Sequence, residues 1–273
     1  MPSPFALTSR DPQTTAADLL AGLVPPPQFL AASFDSYVPD ADYPSQAGAQ
    51  EAMRALAQLL TNPPRRSLFR KQPTVPSIYL DGGYGVGKTH LLASLAHAVG
   101  PQRCAYGTFV EYTHLVGALG FTACVAELST RSLVAIDEFE LDDPGDTVLM
   151  SRLLRELADA GVSLVATSNT LPEALGEGRF AAEDFLREIQ ALASRFSVMR
   201  IDGHDYRHRT GRPQHRAVTS ATVVEQGEQA AAAGHSVSLD RWEDLTAHLA
   251  RIHPSRYGAL VDGVEAVLLT DVH

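Results

Sequence analysis

The chain has 273 residues, 45% of them apolar and 20% charged, with a formal net charge of −10. That length is enough for one large α/β domain, or for one such domain plus a small appendage. The acidic balance argues against broad nonspecific nucleic-acid binding, which needs a cationic surface, and no apolar run approaches the ~18 residues that mark a membrane span.

Residues 1–44 are rich in proline and aromatics (Pro25-Pro26-Pro27, Phe29, Phe34, Tyr37, Tyr43) and read as an N-terminal arm with one short helix over 15–23. The start of the arm lacks the basic opening and apolar core of a secretory signal. It also lacks the arginine-rich, acid-poor character of an organelle presequence, so the expected location is the cytoplasm, with peripheral attachment at the inner face of the membrane as the alternative. Ser45 is placed to cap a helix over 45–60 that carries Ala49, Met53, Leu56, Leu59 and Leu60 on one face. Asn62-Pro63-Pro64 ends that helix, and a basic linker (Arg65, Arg66, Arg70, Lys71) follows.

The next stretch carries the strongest chemical signal. An apolar strand, Ser77-Ile78-Tyr79-Leu80, runs into Gly82-Gly83-Tyr84-Gly85-Val86-Gly87-Lys88-Thr89-His90, which fits G-x-x-x-x-G-K-[ST] without a gap, and a helical segment follows to Val99. Strand, glycine loop and helix in that order make a P-loop: backbone N–H groups converge on phosphate oxygens and the helix turns its positive end toward them. All nine residues from Gly82 to His90 are therefore candidate nucleotide contacts. Lys88 is placed for the outer phosphates and Thr89 for Mg2+. Lys71 and Lys88 are the only lysines in the chain.

Beyond Gly100-Pro101 the pattern alternates. Residues 105–109 read as a strand, 110–128 as broken helical material and Leu133-Val134-Ala135-Ile136 as a buried strand. A helix is expected over 148–160, a strand over 162–167, a helix over 181–194 and a fifth strand over 197–201. Strands separated by helices predict a parallel five-stranded sheet covered on both faces. Past Asp202 the character changes. Residues 205–216 form a basic, turn-rich stretch with Arg207, Arg209, Arg212 and Arg216; 217–224 read as a strand and 226–234 as an alanine-rich turn region. Asp240 with Glu243 suits a capping box for a helix to Ile252, and 264–269 read as a last strand. The expected division is an arm at 1–44, a P-loop core at 45–203, and a small α+β region at 204–273. Cys104 and Cys124 sit in no C-x-x-C pair or histidine cluster and read as small buried thiols.

The central strand ends in Asp137-Glu138, with Asp137 49 residues after Lys88. Most Asp-Glu pairs are solvated surface, but this one closes a buried-type strand downstream of a P-loop. There Asp137 is expected to support the metal ion and Glu138 to orient or deprotonate the attacking water. Ser163-Leu164-Val165-Ala166-Thr167-Ser168-Asn169 is again an apolar strand with a polar tip, which sets Asn169 beside a γ-phosphate; the bland alternative is a strand-terminal turn. P-loop, acidic strand and polar-tipped strand in this order suit an AAA+ ATPase, and the lack of an N-K-x-D motif favours ATP over a guanine nucleotide.

On further motifs the chain resembles a branch of that class, the ZapE-type cell-division ATPases and their mitochondrial AFG-like relatives. The stretch from Ala135 to Asp143 is similar to the family's D-E-F-x-V-x-D region. Gly161 to Asn169 with Pro172 and Leu175 is similar to G-V-x-L-V-A-T-S-N-x-x-P-x-x-L, and Asp202-Gly203 with Asp205-Tyr206-Arg207 to D-G-x-D-Y-R. Tyr37 to Gln46 and Ser255 to Val272 extend the likeness, with the acidic run Asp142 to Asp146 as a departure, and the resemblance implies that the region 204–273 is a shortened lid. The resemblance implies Mg-ATP hydrolysis that remodels a protein partner, FtsZ or another division protein, by a homo-oligomer in which a neighbour donates an arginine finger. Arg195 is the favoured candidate over Arg179 and Arg187. Two rival readings are an ATP-dependent helicase loader that uses the basic stretch for DNA, and a nucleotide-gated adaptor that does not hydrolyse.

Overall fold

A computed structural model describes residues 3–13, 15–63, 76–140, 144–170, 194–205, 218–252 and 256–272. The chain divides into two compact units, Ala16–Gly211 and a second made of Met1–Thr15 with Arg212–His273.

The larger unit is built on five parallel strands: β1 (Ile78–Gly82), β2 (Cys104–Thr108), β3 (Leu133–Asp137), β4 (Ser163–Ser168) and β5 (Ser197–Ile201), in the order β2-β3-β4-β1-β5. The central strands β1, β3 and β4 are buried along their whole length because both faces are covered, whereas the edge strand β5 is largely exposed. Tyr79, Val134, Ile136, Leu164 and Ala166 face one core, packed by α1 (Ala16–Ala21), α4 (Phe109–Leu119), α5 (Phe121–Leu128) and α6 (Pro144–Asp159). Their alternates Ile78, Leu80, Leu133, Ala135 and Val165 face the other, packed by α2 (Pro44–Thr61) and α3 (Lys88–Val99). This is an α/β P-loop architecture, and it delivers β1, β3 and β4 side by side with their carboxyl ends at one edge.

Local chemistry sets the boundaries. Gly120, at φ +79°, breaks the apolar run 109–128 into α4 and α5, and a reciprocal capping box between Thr108 and Glu111 starts α4. No single helix among the described residues is long and apolar enough to cross a membrane; bent α4 and α5 would pass on length and composition together, but Tyr112, Leu115, Cys124 and Leu128 are buried in the core. The second helix begins one residue before the expected cap: Pro44 occupies its first turn and Tyr43 is the N-cap. The Ser45 hydroxyl instead accepts a hydrogen bond from the Asp202 amide at 2.9 Å. Most of the helix expected over 181–194 lies outside the described residues.

The smaller unit departs most from expectation. A single helix, α7 (Ser220–Ala232), replaces the strand over 217–224 and the turn region over 226–234. The Thr219 hydroxyl caps it by accepting from the Thr222 amide, and alanine and glutamine favour helix once one face is buried. Gly227 lies on that face, where an added Cβ would meet Leu268 at 2.9 Å. Two parallel strands, β6 (Val237–Arg241) and β7 (Ala266–Thr270), bracket α8 (Trp242–Leu249) and α9 (Tyr257–Leu260). Asp240 does not cap α8. It lies in β6 and accepts the amides of Leu7 at 2.9 Å and Thr8 at 3.2 Å, while Phe5 bridges Ser238. The arm expected over 1–44 is thereby split between the units: its first fifteen residues complete β6, and Leu19 and Leu23 enter the core beside α4.

Candidate active site at the carboxyl edge of the sheet

The loop from β1 to α3 holds its shape through backbone that only glycine adopts cheaply. Gly85 has φ +68° and Gly87 φ +91°, and neither has room for a side chain: an added Cβ would sit 1.7 Å from a carboxylate oxygen of Asp205 and 2.4 Å from the ring of Tyr37, respectively. Gly87 is also the N-cap of α3 with no side-chain capping bond, so the first-turn amides are directed into the loop. Tyr37 closes the far side. Its hydroxyl donates to the Val86 carbonyl at 3.0 Å, and burial pushes the phenol up to about 12, so it stays a donor.

Lys88 is buried under this loop. Its ammonium donates to the carbonyls of Gly82 and Gly83 at 2.6 and 2.7 Å and to Asn169 Oδ1 at 2.9 Å. The tip of β4 therefore touches the P-loop cation, which joins two motifs 81 residues apart. With Oδ1 turned to the ammonium, the Asn169 amide hydrogens remain as donors. Thr89 donates to Asp137 Oδ1 at 3.1 Å, which places the hydroxyl and the carboxylate expected to share a metal ion in contact. Asp137 is buried and receives two further donors, the Thr167 hydroxyl on Oδ1 at 2.6 Å and the Tyr106 hydroxyl on Oδ2 at 2.8 Å.

Glu138 is in the left-handed region at φ +53°, a conformation that costs a non-glycine residue about 1–2 kcal/mol. Its amide donates to the Thr167 hydroxyl at 3.1 Å, and the Phe139 amide donates to the Thr167 carbonyl at 2.7 Å. Phe139 is buried edge-on against Tyr79 and Phe109. The kink turns the Glu138 carboxylate away from the core and into an open cavity of about 410 Å³. Partial desolvation raises its pKa, with Asp137 and Glu140 adding to the rise and Lys88 opposing it.

The cavity is shared by the P-loop, Glu138, Asn169 and the segment around Tyr37. Tyr84 is strongly exposed at its lip. His90 packs against the rings of Phe29 and Tyr37, with Nε2 3.0 Å from the Ser36 hydroxyl and 3.1 Å from the Ser33 carbonyl, so it ties the arm to α3. Arg195 is elsewhere. It lies two residues before β5, at the amino edge of the sheet, and pairs with Asp159 at 2.8 Å. It does not reach the cavity of its own chain. Arg179, Arg187 and the basic positions 207–216 lie outside the described residues. Tyr106, Thr167 and the Tyr37 hydroxyl were not singled out from sequence as parts of the site. The i, i+2 spacing of Thr167 and Asn169 on one strand was the available hint for Thr167; Tyr106 needed the strand order.

The donors fit Mg2+. One carboxylate and one hydroxyl are hard oxygen donors, as suits an ion that keeps its waters and takes phosphate oxygens, and no cluster of three or more His, Cys, Asp or Glu among the described residues offers an all-protein cage.

A family profile described as AFG1-like ATPase matches residues 13–234, a span that includes the P-loop, the acid pair and the polar tip of β4. The chain belongs to the AFG1-like ATPase family. Within the wider group, the cell division protein ZapE of Escherichia coli strain K12 is 32% identical over 151 residues, which cover 51% of this chain and 40% of ZapE. The Schizosaccharomyces pombe protein C115.02c is 29% identical over 175 residues, covering 53% of this chain and 38% of that protein. The chain thus spans about two fifths of the length of these relatives. Among solved structures, DnaI aligns with a TM-score of 0.47 at 16% identity, over 68% of this chain and 98% of its own. Membership in the AFG1-like ATPases points to a nucleotide hydrolase.

Proposed function

We propose that this protein hydrolyses ATP to ADP and phosphate with Mg2+ and uses the cycle to remodel a protein partner. One observation carries the reading: Lys88, Thr89, Glu138 and Asn169, drawn from three neighbouring strand ends, line one cavity, with buried Asp137 directly behind Thr89. In this reading the loop amides from Gly82 to His90 and the Lys88 ammonium bind the phosphates. Thr89 and Asp137 would hold Mg2+, which would supply positive charge against the negative charge that develops on the phosphates. Glu138 takes a proton from the attacking water as its oxygen approaches the γ-phosphorus. The amide hydrogens of Asn169 hold that water or a γ-phosphate oxygen in line.

Arg195 has no part in its own chain's cavity, so as a finger it would serve a neighbouring subunit of a homo-oligomer. The resemblance to ZapE supports a role in cell division, with FtsZ or another division protein as the partner, in the cytoplasm or at the inner face of the membrane.

The test is phosphate release by the wild type, Lys88→Ala and Glu138→Gln, followed by capture of partners on the ATP-loaded Glu138→Gln protein. Turnover in the wild type alone, with a division protein held by the trapped form, is the expected result. Equal release by all three proteins would overturn the assignment.

A further inference from the structure

Thr167 makes more contacts with the acid pair than any expectation from sequence assigned it. Its hydroxyl donates to Asp137 Oδ1 at 2.6 Å and accepts from the Glu138 amide at 3.1 Å, and its carbonyl accepts from the Phe139 amide at 2.7 Å. Three consecutive residues are thereby fixed by one residue of the adjacent strand. The backbone register of β3 and β4 is paired through Ile136 and Ala166. Just beyond it Glu138 turns to φ +53°, and the Thr167 hydroxyl supplies the acceptor for the Glu138 amide. The same residue sits two places before Asn169, which holds Lys88.

We infer that Thr167 is a positioning residue that locks the Glu138 carboxylate in its catalytic direction and couples it to the metal-side carboxylate. The inference rests on the proposed hydrolysis for its catalytic consequence, but the clamp itself does not. A hydroxyl is required at this position because one atom both donates and accepts. Valine has nearly the same shape and can do neither, which leaves a buried carboxylate oxygen short of a donor and an amide without an acceptor. Thr167 borders the cavity but is 1% exposed, and its hydroxyl is engaged by Asp137 and the Glu138 amide, so its loss is expected in kcat, with ATP affinity largely unchanged.

The experiment compares wild type, Thr167→Ser and Thr167→Val by ATPase kinetics, nucleotide binding and amide exchange at Glu138 read by NMR. In the wild type the Glu138 amide should exchange as slowly as the β3 amides; free exchange there overturns the clamp before any variant is made. Thr167→Val should speed that exchange at least about tenfold and lower kcat by roughly ten- to a hundredfold, with the Kd for ATP within about threefold. Thr167→Ser should restore slow exchange and most of kcat. A valine variant with undisturbed exchange and kcat, or a serine variant as impaired as valine, overturns the inference. Should the valine protein not fold, Thr167→Ala carries the same expectations. A wild type that shows the slow amide but no turnover would refute the proposed hydrolysis and leave the clamp standing.

Discussion

The Lys88 ammonium lies 2.9 Å from Asn169 Oδ1, so the phosphate-binding loop and the tip of β4 are in direct contact. Any group that pulls Lys88 toward phosphate oxygens also changes what Asn169 can hold. In the proposed cycle, this contact is the shortest route by which the nucleotide can signal to β4 and, through Thr167, to Glu138.

Replacing Lys88 with Ala removes a buried cation that donates to three oxygens. ATP affinity should fall at least about a hundredfold, the scale of losing a charge-assisted contact and leaving its partners unpaired. Calorimetry with Mg-ATP reads this directly. Glu138→Gln should instead retain ATP affinity and lose roughly 10²–10⁴ in kcat, the usual worth of a general base.

The pH dependence follows from the direction of the Glu138 shift. As a base the residue must be ionised, so the acid limb of kcat/KM should lie above the ordinary glutamate value of 4.5 and vanish in Glu138→Gln. Stability moves the other way. Because its folded-state pKa is raised, the folded protein binds more protons than the unfolded chain above the ordinary carboxylate range, and ionisation lowers stability as pH rises through the folded pKa. Glu138→Gln should therefore melt above the wild type at neutral pH, and the gap should close as pH falls toward 4.5. Scanning calorimetry across that range is the check.

Gly87→Ala places a Cβ 2.4 Å from the Tyr37 ring and forces alanine to φ +91°. We expect a loss of stability of about 1–3 kcal/mol and at least tenfold weaker ATP binding, since the loop must open to relieve the clash. Tyr37→Phe, which removes only the bond to Val86, should cost about 1 kcal/mol and leave binding nearly intact. Chemical denaturation and fluorescent nucleotide titration separate the two.

Arg195 and Asp159 are both substantially exposed, so their pair is worth at most about 1 kcal/mol, and Arg195→Ala should melt close to the wild type. As a finger given to a neighbour, its loss should still lower kcat by about 10³. Mixing Arg195→Ala with Glu138→Gln should recover activity, because the mixed interface joins an intact base to an intact arginine. No recovery in the mixture would remove Arg195 from the site.

Much of the core was legible because each piece was encoded locally. Strands β1 to β4 are almost wholly buried, so they lean on apolar residues, and the P-loop and the Asp137–Glu138 pair declare themselves by residue type and spacing. The contacts that organise the site were hidden because they cross strands. Tyr106 reaches Asp137 only because β2 lies beside β3, and Thr167 reaches Glu138 only because β4 lies on the other side. The tail failed for a different reason. The alanine-rich segment around residues 226–232 has no strong periodicity, and its helix is settled by packing against β7. Asp240 resembled a local cap, but its partners Leu7 and Thr8 are more than two hundred residues upstream.

Asp240 also supplies a test of the smaller unit. Asp240→Ala strips a charged acceptor from the Leu7 and Thr8 amides, one of them buried, and should cost about 2–3 kcal/mol there. Residues 3–10 and 220–270 should lose exchange protection together, while residues 78–168 keep theirs.

The contact between Leu7 and Asp240 also has a consequence in time. The two residues are separated by 233 positions, so at bacterial or eukaryotic synthesis rates the upstream segment waits roughly ten to fifty seconds for its mate to leave the ribosome. Until then Phe5 and its neighbours are an unsheltered sticky end, while the nucleotide-binding half can already have condensed between them.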